Sequence, residues 1–318
     1  MILVPTPEQQ ELRTAVRSFL ETTSTRTAME MPDGYDPAVY ARLNGELGLS
    51  GLIVPEEYGG AGAGFAELAV VLEETGAALL PGPFLATTFA TIALLQAPDK
   101  ELLTAIAEGR TTATLVTGPG PVMDAEVVLA DTGTSLVLAE PHKESLTGLD
   151  PTRRMARVTV SGGRTLTDDP AALARARDLC MVALAAEQLG VIRASLDAIV
   201  AYAKIRVAFG RYIGSYQGVK HKMADMHGKL EQAESIVRFA AWAADESPDE
   251  LPLAAALAQA HVGRACFEVA GDHLLLHGGI GFTWEHDAHL YYKRAKADEV
   301  LLGPPYRHRT RIADLLEL

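Results

Sequence analysis

Cysteine is nearly absent from this chain: two in 318 residues, Cys180 and Cys266, each beside apolar neighbours such as Leu179 and Phe267. That usage excludes a disulfide framework and reads as two reduced core thiols in a reducing compartment. Positive charge is also scarce. With 28 Lys and Arg against 41 Asp and Glu, the formal charge is −13, which repels nucleic acid and anionic membranes at long range. A small anionic ligand needs only a local basic patch and stays open. No apolar run reaches the roughly 18 residues of a membrane span. The start, Met1-Ile2-Leu3-Val4-Pro5-Thr6, has no basic flank, so no signal peptide is expected and the cytoplasm is the expected location. There is no internal repeat and no low-complexity tract. What the chain does have is 48% hydrophobic residues at this length, enough for a large core in two or three domains.

Periodicity divides the chain into three. Residues 1–110 read as a helical domain: Thr6-Pro7-Glu8-Gln9 has the form of an N-cap followed by an N1 proline, and Leu12, Val16, Phe19 and Leu20 recur on one face. A loop over 47–62 precedes a helix from Phe65 to Leu80, closed by Pro81-Gly82-Pro83. Residues 111–169 change period, with short β-rich runs at 112–117, 126–130, 135–140 and 156–160 split by Gly, Pro and Asp turns. Residues 170–318 are helical again, with predicted helices over 179–204, 217–245, 253–277 and 285–302. Leu184, Leu189, Leu196 and Ile199, then Met223, Met226, Leu230, Val237 and Ala241, form the seams of an antiparallel bundle. The expected fold is mainly α with a small β domain: a helical domain, a shortened β-sheet domain and a C-terminal four-helix bundle.

Several constellations carry chemistry. In Arg206-Val207-Ala208-Phe209-Gly210-Arg211 the arginine offers a bidentate pair to a phosphate, the phenylalanine a face for an adenine or flavin ring, and the glycine close backbone approach. A helix C-terminus with basic residues accounts for the same Arg and Gly without a ligand. Gln217, opening the next helix, and His277-Gly278-Gly279-Ile280-Gly281, with more glycine than a helix stop requires, favour the ligand. The run Gly59-Gly60-Ala61-Gly62-Ala63-Gly64 does not fit the dinucleotide fingerprint and follows no strand, which argues against a Rossmann unit. His273 and His277, and His286 and His289, are spaced like metal ligands but lack a recognisable third partner. No Glu-x-x-His occurs, against a carboxylate-bridged di-iron bundle. Arg153-Arg154 reads by default as a solvated basic turn, with a nucleotide-phosphate contact as the alternative.

Together these segments resemble the acyl-CoA dehydrogenase family. The resemblance rests on Thr6 to Arg13, Gly51 to Gly60, Arg206 to Gln217, Lys222 to Met226 and His277 to Tyr291, in the family's order and over most of the chain. It implies FAD as cofactor, an acyl-CoA thioester as substrate and an electron-transfer flavoprotein as acceptor. It also implies a carboxylate base for the weakly acidic α-proton, close, desolvated and raised in pKa. At the family's two positions for that base this chain has Leu302 and Cys180. Glu187 and Glu299 are the nearest acidic substitutes, and Glu187 is the only weak catalytic candidate. The flavin loop is reduced to Thr117-Gly118-Pro119-Gly120-Pro121 and has lost its acidic and hydroxyl residues.

In the family's dimers the Arg-x-x-Phe-Gly segment, the glutamine and the glycine pair reach the ADP half of a neighbour's FAD. The resemblance therefore assigns cofactor contacts to Arg206, Phe209, Gly210, Gln217, His277, Gly278 and Gly279, although Leu275 stands where a polar residue often precedes the glycine pair. Groups that act across a subunit boundary are kept, and those that act within a subunit are lost. The pattern is similar to the short subunits of heteromeric α2β2 acyl-CoA dehydrogenases of actinobacterial steroid degradation, where a full-length homologue is the second subunit. Two alternatives stay open: a complete homo-oligomeric enzyme with Glu187 as relocated base, and a non-catalytic scaffold.

Overall fold

The computed structural model describes residues 4–318; Met1 to Leu3, part of the N-terminal segment read above, lie outside the described residues. Six helices come first: α1 (Pro7–Glu21), α2 (Thr25–Met29), α3 (Pro37–Leu47), α4 (Phe65–Ala77), α5 (Phe84–Gln96) and α6 (Lys100–Ala107). Thr6 and Gln9 form the reciprocal capping box that begins α1. The start of α4 has no side-chain cap of its own at Gly64; instead Asp245, from a distant helix, accepts the amides of Phe65 at 2.7 Å and Ala66 at 3.0 Å.

Five strands form one sheet: β1 (Ala113–Val116), β2 (Val122–Met123), β3 (Val127–Asp131), β4 (Leu136–Leu146) and β5 (Met155–Thr167), in the order β1-β3-β4-β5-β2. Only β1 and β3 pair in parallel. β4 and β5 run well beyond the stretches read from sequence, because Pro141 and Gly162-Gly163 do not end them. A register shift at Glu140/Pro141 absorbs the proline. Gly163, at φ 152°, lets its strand approach Leu138 so closely that an added Cβ would lie 2.3 Å from the Leu138 carbonyl oxygen.

The remaining helices are α7 (Pro170–Ile205), α8 (Gln217–Glu246), α9 (Leu251–Leu276), α10 (Ala288–Leu301) and α11 (Pro305–Leu315), with a small hairpin, β6 (Val207–Ala208) and β7 (Arg211–Tyr212), between α7 and α8. α7 starts nine residues before the apolar pattern does, since Asp169 caps it and Pro170 takes the first position. α11 has no counterpart in the sequence reading. It opens at Pro305, which takes the first helical position after Pro304. α7 is the central pillar: its most apolar 18-residue window is long and hydrophobic enough for a membrane span, yet 89% of it is buried inside the protein. A bundle core accounts for that apolarity.

Two ionic clusters hold the layers together. In one, Glu73 of α4, 1% exposed, accepts from Arg13 of α1 at 2.8 Å, Arg193 of α7 at 2.7 Å and Arg238 of α8 at 3.2 Å. Burial works to raise its pKa, but the three guanidinium groups outweigh burial and hold it low. The second joins the sheet region to the bundle. Arg153 pairs with Glu187 of α7 and Asp298 of α10, while Arg294 of α10 donates to Asp150 at 2.6 Å, Glu187 at 3.3 Å and the Thr152 hydroxyl. Arg153 is thus a buried hub, not the solvated turn residue its sequence neighbourhood suggests, whereas Arg154 stays exposed. Three carboxylates face two arginines here. Burial, reinforced by Glu187 and Asp150, pushes Asp298 up to about 7 despite both arginines, and one Asp298 oxygen has no partner. A proton on Asp298 balances the cluster.

The α4/α7 crossing is closed by glycine. A Cβ at Gly190 would lie 1.8 Å from the Glu73 carbonyl oxygen, and one at Gly76 2.2 Å from that of Glu187. Gly190→Ala should therefore destabilise by about 3 kcal/mol, the upper end for overpacking. Gly228→Ala on α8, where nothing lies within 4 Å, should stabilise by up to about 1 kcal/mol. Urea unfolding measures both. For Asp298, the folded chain keeps a proton that the unfolded chain releases as pH rises from 4 to 7, so stability falls over that window. Asp298→Asn, which stays neutral, should gain stability relative to the parent chain between pH 5 and pH 8. A constant difference in melting temperature across that range would contradict a protonated Asp298.

Candidate cofactor ridge and relict cavity

Arg206 ends α7, and the next residues do not continue toward the bundle but turn back as the β6/β7 hairpin. Its two-residue turn is Phe209-Gly210, with φ of 51° and 80°. Positive φ at both central positions matches the right-handed twist of the strands, as in a type I′ turn, but suits Asn or Gly and not Phe. Phe209 is nonetheless there, 99% exposed. Such backbone strain at an unburied aromatic has no counterpart in the packing of the fold and makes Phe209 a candidate contact residue. Arg211 lies 3.8 Å over the Tyr216 ring, and the Tyr216 hydroxyl donates to the Ala208 carbonyl at 2.9 Å, bracing the hairpin against the start of α8.

Gln217 is the first residue of the 30-residue α8, and no side chain caps that end. Its free amides and dipole, beside Arg206 and Arg211, attract an anion. Across from them α9 ends at His277 and passes into a short 3-10 turn over Gly278–Phe282. Gly278 has φ 66°, and a Cβ at Gly278 or Gly279 would meet nothing within 4 Å, so bare backbone faces outward. Tyr202, four residues before Arg206, stacks on His277 with ring centroids 4.5 Å apart, which brings the two segments together. These residues fit the ADP half of a dinucleotide.

His277 is largely buried: it is 5% exposed, and its Nδ1 meets the His273 carbonyl at 2.8 Å. Its ring stacks against Tyr202 behind the glycine turn. His273, His277 and His286 do converge, with ring centroids 4.3 to 6.5 Å apart, yet among the described residues no group of three is arranged to hold a metal. Burial, then the two neighbouring imidazoles, pushes His273 down to about 3. The cluster is an aromatic stack.

The positions at which the family would do its chemistry meet in one place. Thr117 after β1, Cys180 on α7 and Leu302 after α10 line a single cavity of about 430 Å³, with Arg177, Asp178, Met181, Arg307, His308 and Arg311. No carboxylate is free there to act as the family's base. Burial and the nearby Asp131 and Asp178 charges push the Cys180 thiol far up, Leu302 has no proton acceptor, and both Asp178 oxygens accept from Arg311. Glu187 lies instead in the ionic cluster, 3% exposed, with both oxygens held by arginines. That is the geometry of a structural carboxylate, and it removes the support for a relocated base. Glu299 is likewise buried and bonded to Lys296 at 2.6 Å.

The chain matches the family model described as acyl-CoA dehydrogenase, N-terminal domain, over residues 6–103, and the C-terminal domain model over 171–316. Acyl-CoA dehydrogenase IpdE2 of Mycolicibacterium smegmatis is 39% identical over 317 residues, covering 96% of this chain and 97% of the relative. Its namesake from Mycobacterium tuberculosis is 38% identical over 313 residues, covering 95% of each. Among solved structures, the steroid acyl-CoA dehydrogenase Tcur3481-Tcur3483 superposes with a TM-score of 0.88 at 25% identity over 98% of both chains. The ChsE4-ChsE5 complex of M. tuberculosis gives 0.90 at 22% identity, covering 100% of this chain and 99% of the other, a likeness of fold.

Two substitutions separate ridge from core. Phe209→Asn relieves the turn and should leave the melting temperature unchanged or raise stability by about 1 kcal/mol, while FAD retention falls; a loss of stability would mean that the ring packs in the fold. Glu187→Gln takes a charged acceptor from both buried arginines while leaving Asp150 and Asp298 to balance them, so it should cost about 1–3 kcal/mol and lower the pKa of Asp298. Unchanged urea stability would deny Glu187 its structural role.

Proposed function

The chain belongs to the acyl-CoA dehydrogenase family of FAD-dependent oxidoreductases, and within it we propose that this chain is a non-autonomous subunit of a heteromeric enzyme that desaturates a CoA thioester. Arg206 and Gln217 bind the pyrophosphate of a shared FAD, Phe209 packs against its adenosine half, and Gly210, Gly278 and Gly279 let backbone come close. A full-length homologue supplies the base and the flavin loop, and an electron-transfer flavoprotein accepts the electrons. Bound FAD supplies the acceptor for the hydride that leaves Cβ of the acyl group.

One observation carries this reading: the phosphate-binding groups face outward on a ridge, while the chain's own cavity contains Cys180 and Leu302 where a base would stand. The surroundings of the ridge agree. Ile205, Val207, Tyr212, Leu275, Phe282 and Trp284 are each more than half exposed, an apolar rim suited to burial against another subunit. Leu275, at the position often polar in the family, belongs to that rim. The structural relative Tcur3481-Tcur3483 is named as a steroid enzyme, which supports a bulky, ring-bearing acyl group as substrate.

Expressed alone, the chain should purify without stoichiometric FAD and without acyl-CoA oxidation. Co-expressed with a full-length homologue encoded nearby, it should form a complex with FAD and activity, and Arg206→Ala should lower the flavin content at least tenfold. Stoichiometric FAD and turnover in the isolated chain would overturn the proposal. FAD content unaffected by Arg206→Ala would reduce the chain to a scaffold.

A further inference from the structure

The relict cavity is not merely inert. Arg177 is closed off by a bidentate pair to Asp131 at 2.5 and 2.6 Å, and Arg311 by one to Asp178 at 2.5 and 3.0 Å. Arg307 also lines the cavity, and among the described residues no acid pairs with it. Gly303, at φ 107°, leaves room for the Arg307 stem: a Cβ there would meet the Arg307 Cδ at 3.9 Å. His308 adds no charge at neutral pH, since burial, with Arg311 nearby, lowers its pKa while Nε2 meets the Gly303 carbonyl at 3.1 Å. Cys180 adds none either, because its thiol cannot ionise. One positive charge is left over, in a chain whose net charge is −13.

The deeper walls are apolar. Cys180 and Met181 are buried, and Leu302 and Ala174 complete that side. At about 430 Å³ the space falls within the range of small-molecule sites. An uncompensated guanidinium at the mouth of an apolar cavity selects an anionic head on an apolar body. A carboxylate matches the guanidinium fork and carries the single charge the site lacks.

We propose that this cavity is a non-catalytic binding site for an amphipathic monocarboxylate, with Arg307 holding the carboxylate and Met181, Cys180 and Leu302 contacting the apolar body. The site is independent of the ADP ridge and does not rest on the shared-flavin reading. Reversible binding is the whole of its proposed chemistry.

Calorimetric titration of the protein, in the complex it forms, with octanoate, octanol and octylammonium tests this. Octanoate should bind at least tenfold more tightly than either of the others. Arg307→Gln should remove that preference while octanol binding is retained, and Leu302→Trp, which fills the cavity, should abolish both. Circular dichroism and the melting temperature establish that each variant folds. Equal binding of octanoate and octanol, octanoate binding untouched by Arg307→Gln, or no octanoate binding at millimolar concentration would overturn the proposal. Because the variants lie in this chain, a partner's acyl pocket leaves these differences unchanged. Loss of FAD after Arg206→Ala with octanoate binding intact separates this site from the ridge.

Discussion

The buried contact of Arg153 and Arg294 with Asp150, Glu187 and Asp298 is the constraint on which the molecule's organisation depends. It is where the end of the sheet region, the central helix and the penultimate helix meet, and each contributes a charge that cannot stay buried alone. It also decides a chemical question. The acidic side chains near the places of a family base are each engaged elsewhere: Glu187 in this cluster, Glu299 with Lys296 and Asp178 with Arg311. The neighbouring Gly76/Gly190 crossing lets the central helix come close enough to α4 for Arg193 to reach Glu73 in the other ionic cluster.

The surface shows the complementary arrangement. The groups that the proposal assigns to a pyrophosphate lie at exposed helix ends: a C-terminal arginine, a strained aromatic turn, an uncapped helix N-terminus and bare glycine backbone. Phe209 is the clearest case, because a left-handed backbone and full exposure both count against it unless another molecule covers the ring.

Much of this was legible in the sequence. The helix–sheet–bundle order follows from a change of hydrophobic period, and the ridge from Arg206, Gln217 and the glycines, since such motifs are local. What was missed is non-local. Pro141 reads as a strand breaker until its partner strand is seen to bulge around it, and the helix that Pro305 opens has no counterpart in the sequence reading. Arg153 looks like a surface residue because its partners Glu187 and Asp298 lie 34 and 145 residues away. The burial of His277 against Tyr202 and His273 is also invisible in the sequence. The cavity uniting Thr117, Cys180 and Leu302 likewise needs three elements brought together; its surplus arginine is invisible until the pairing of the other two is known.

The central claim is that this chain holds the adenosine end of a flavin whose reactive end belongs to another subunit. Photolysis of the complex reconstituted with 8-azidoadenine FAD, followed by peptide mass mapping, addresses it directly. The account requires the adenine label on this chain, in the peptides around Phe209 or Gly278–Gly279. Labelling confined to the full-length subunit would contradict it.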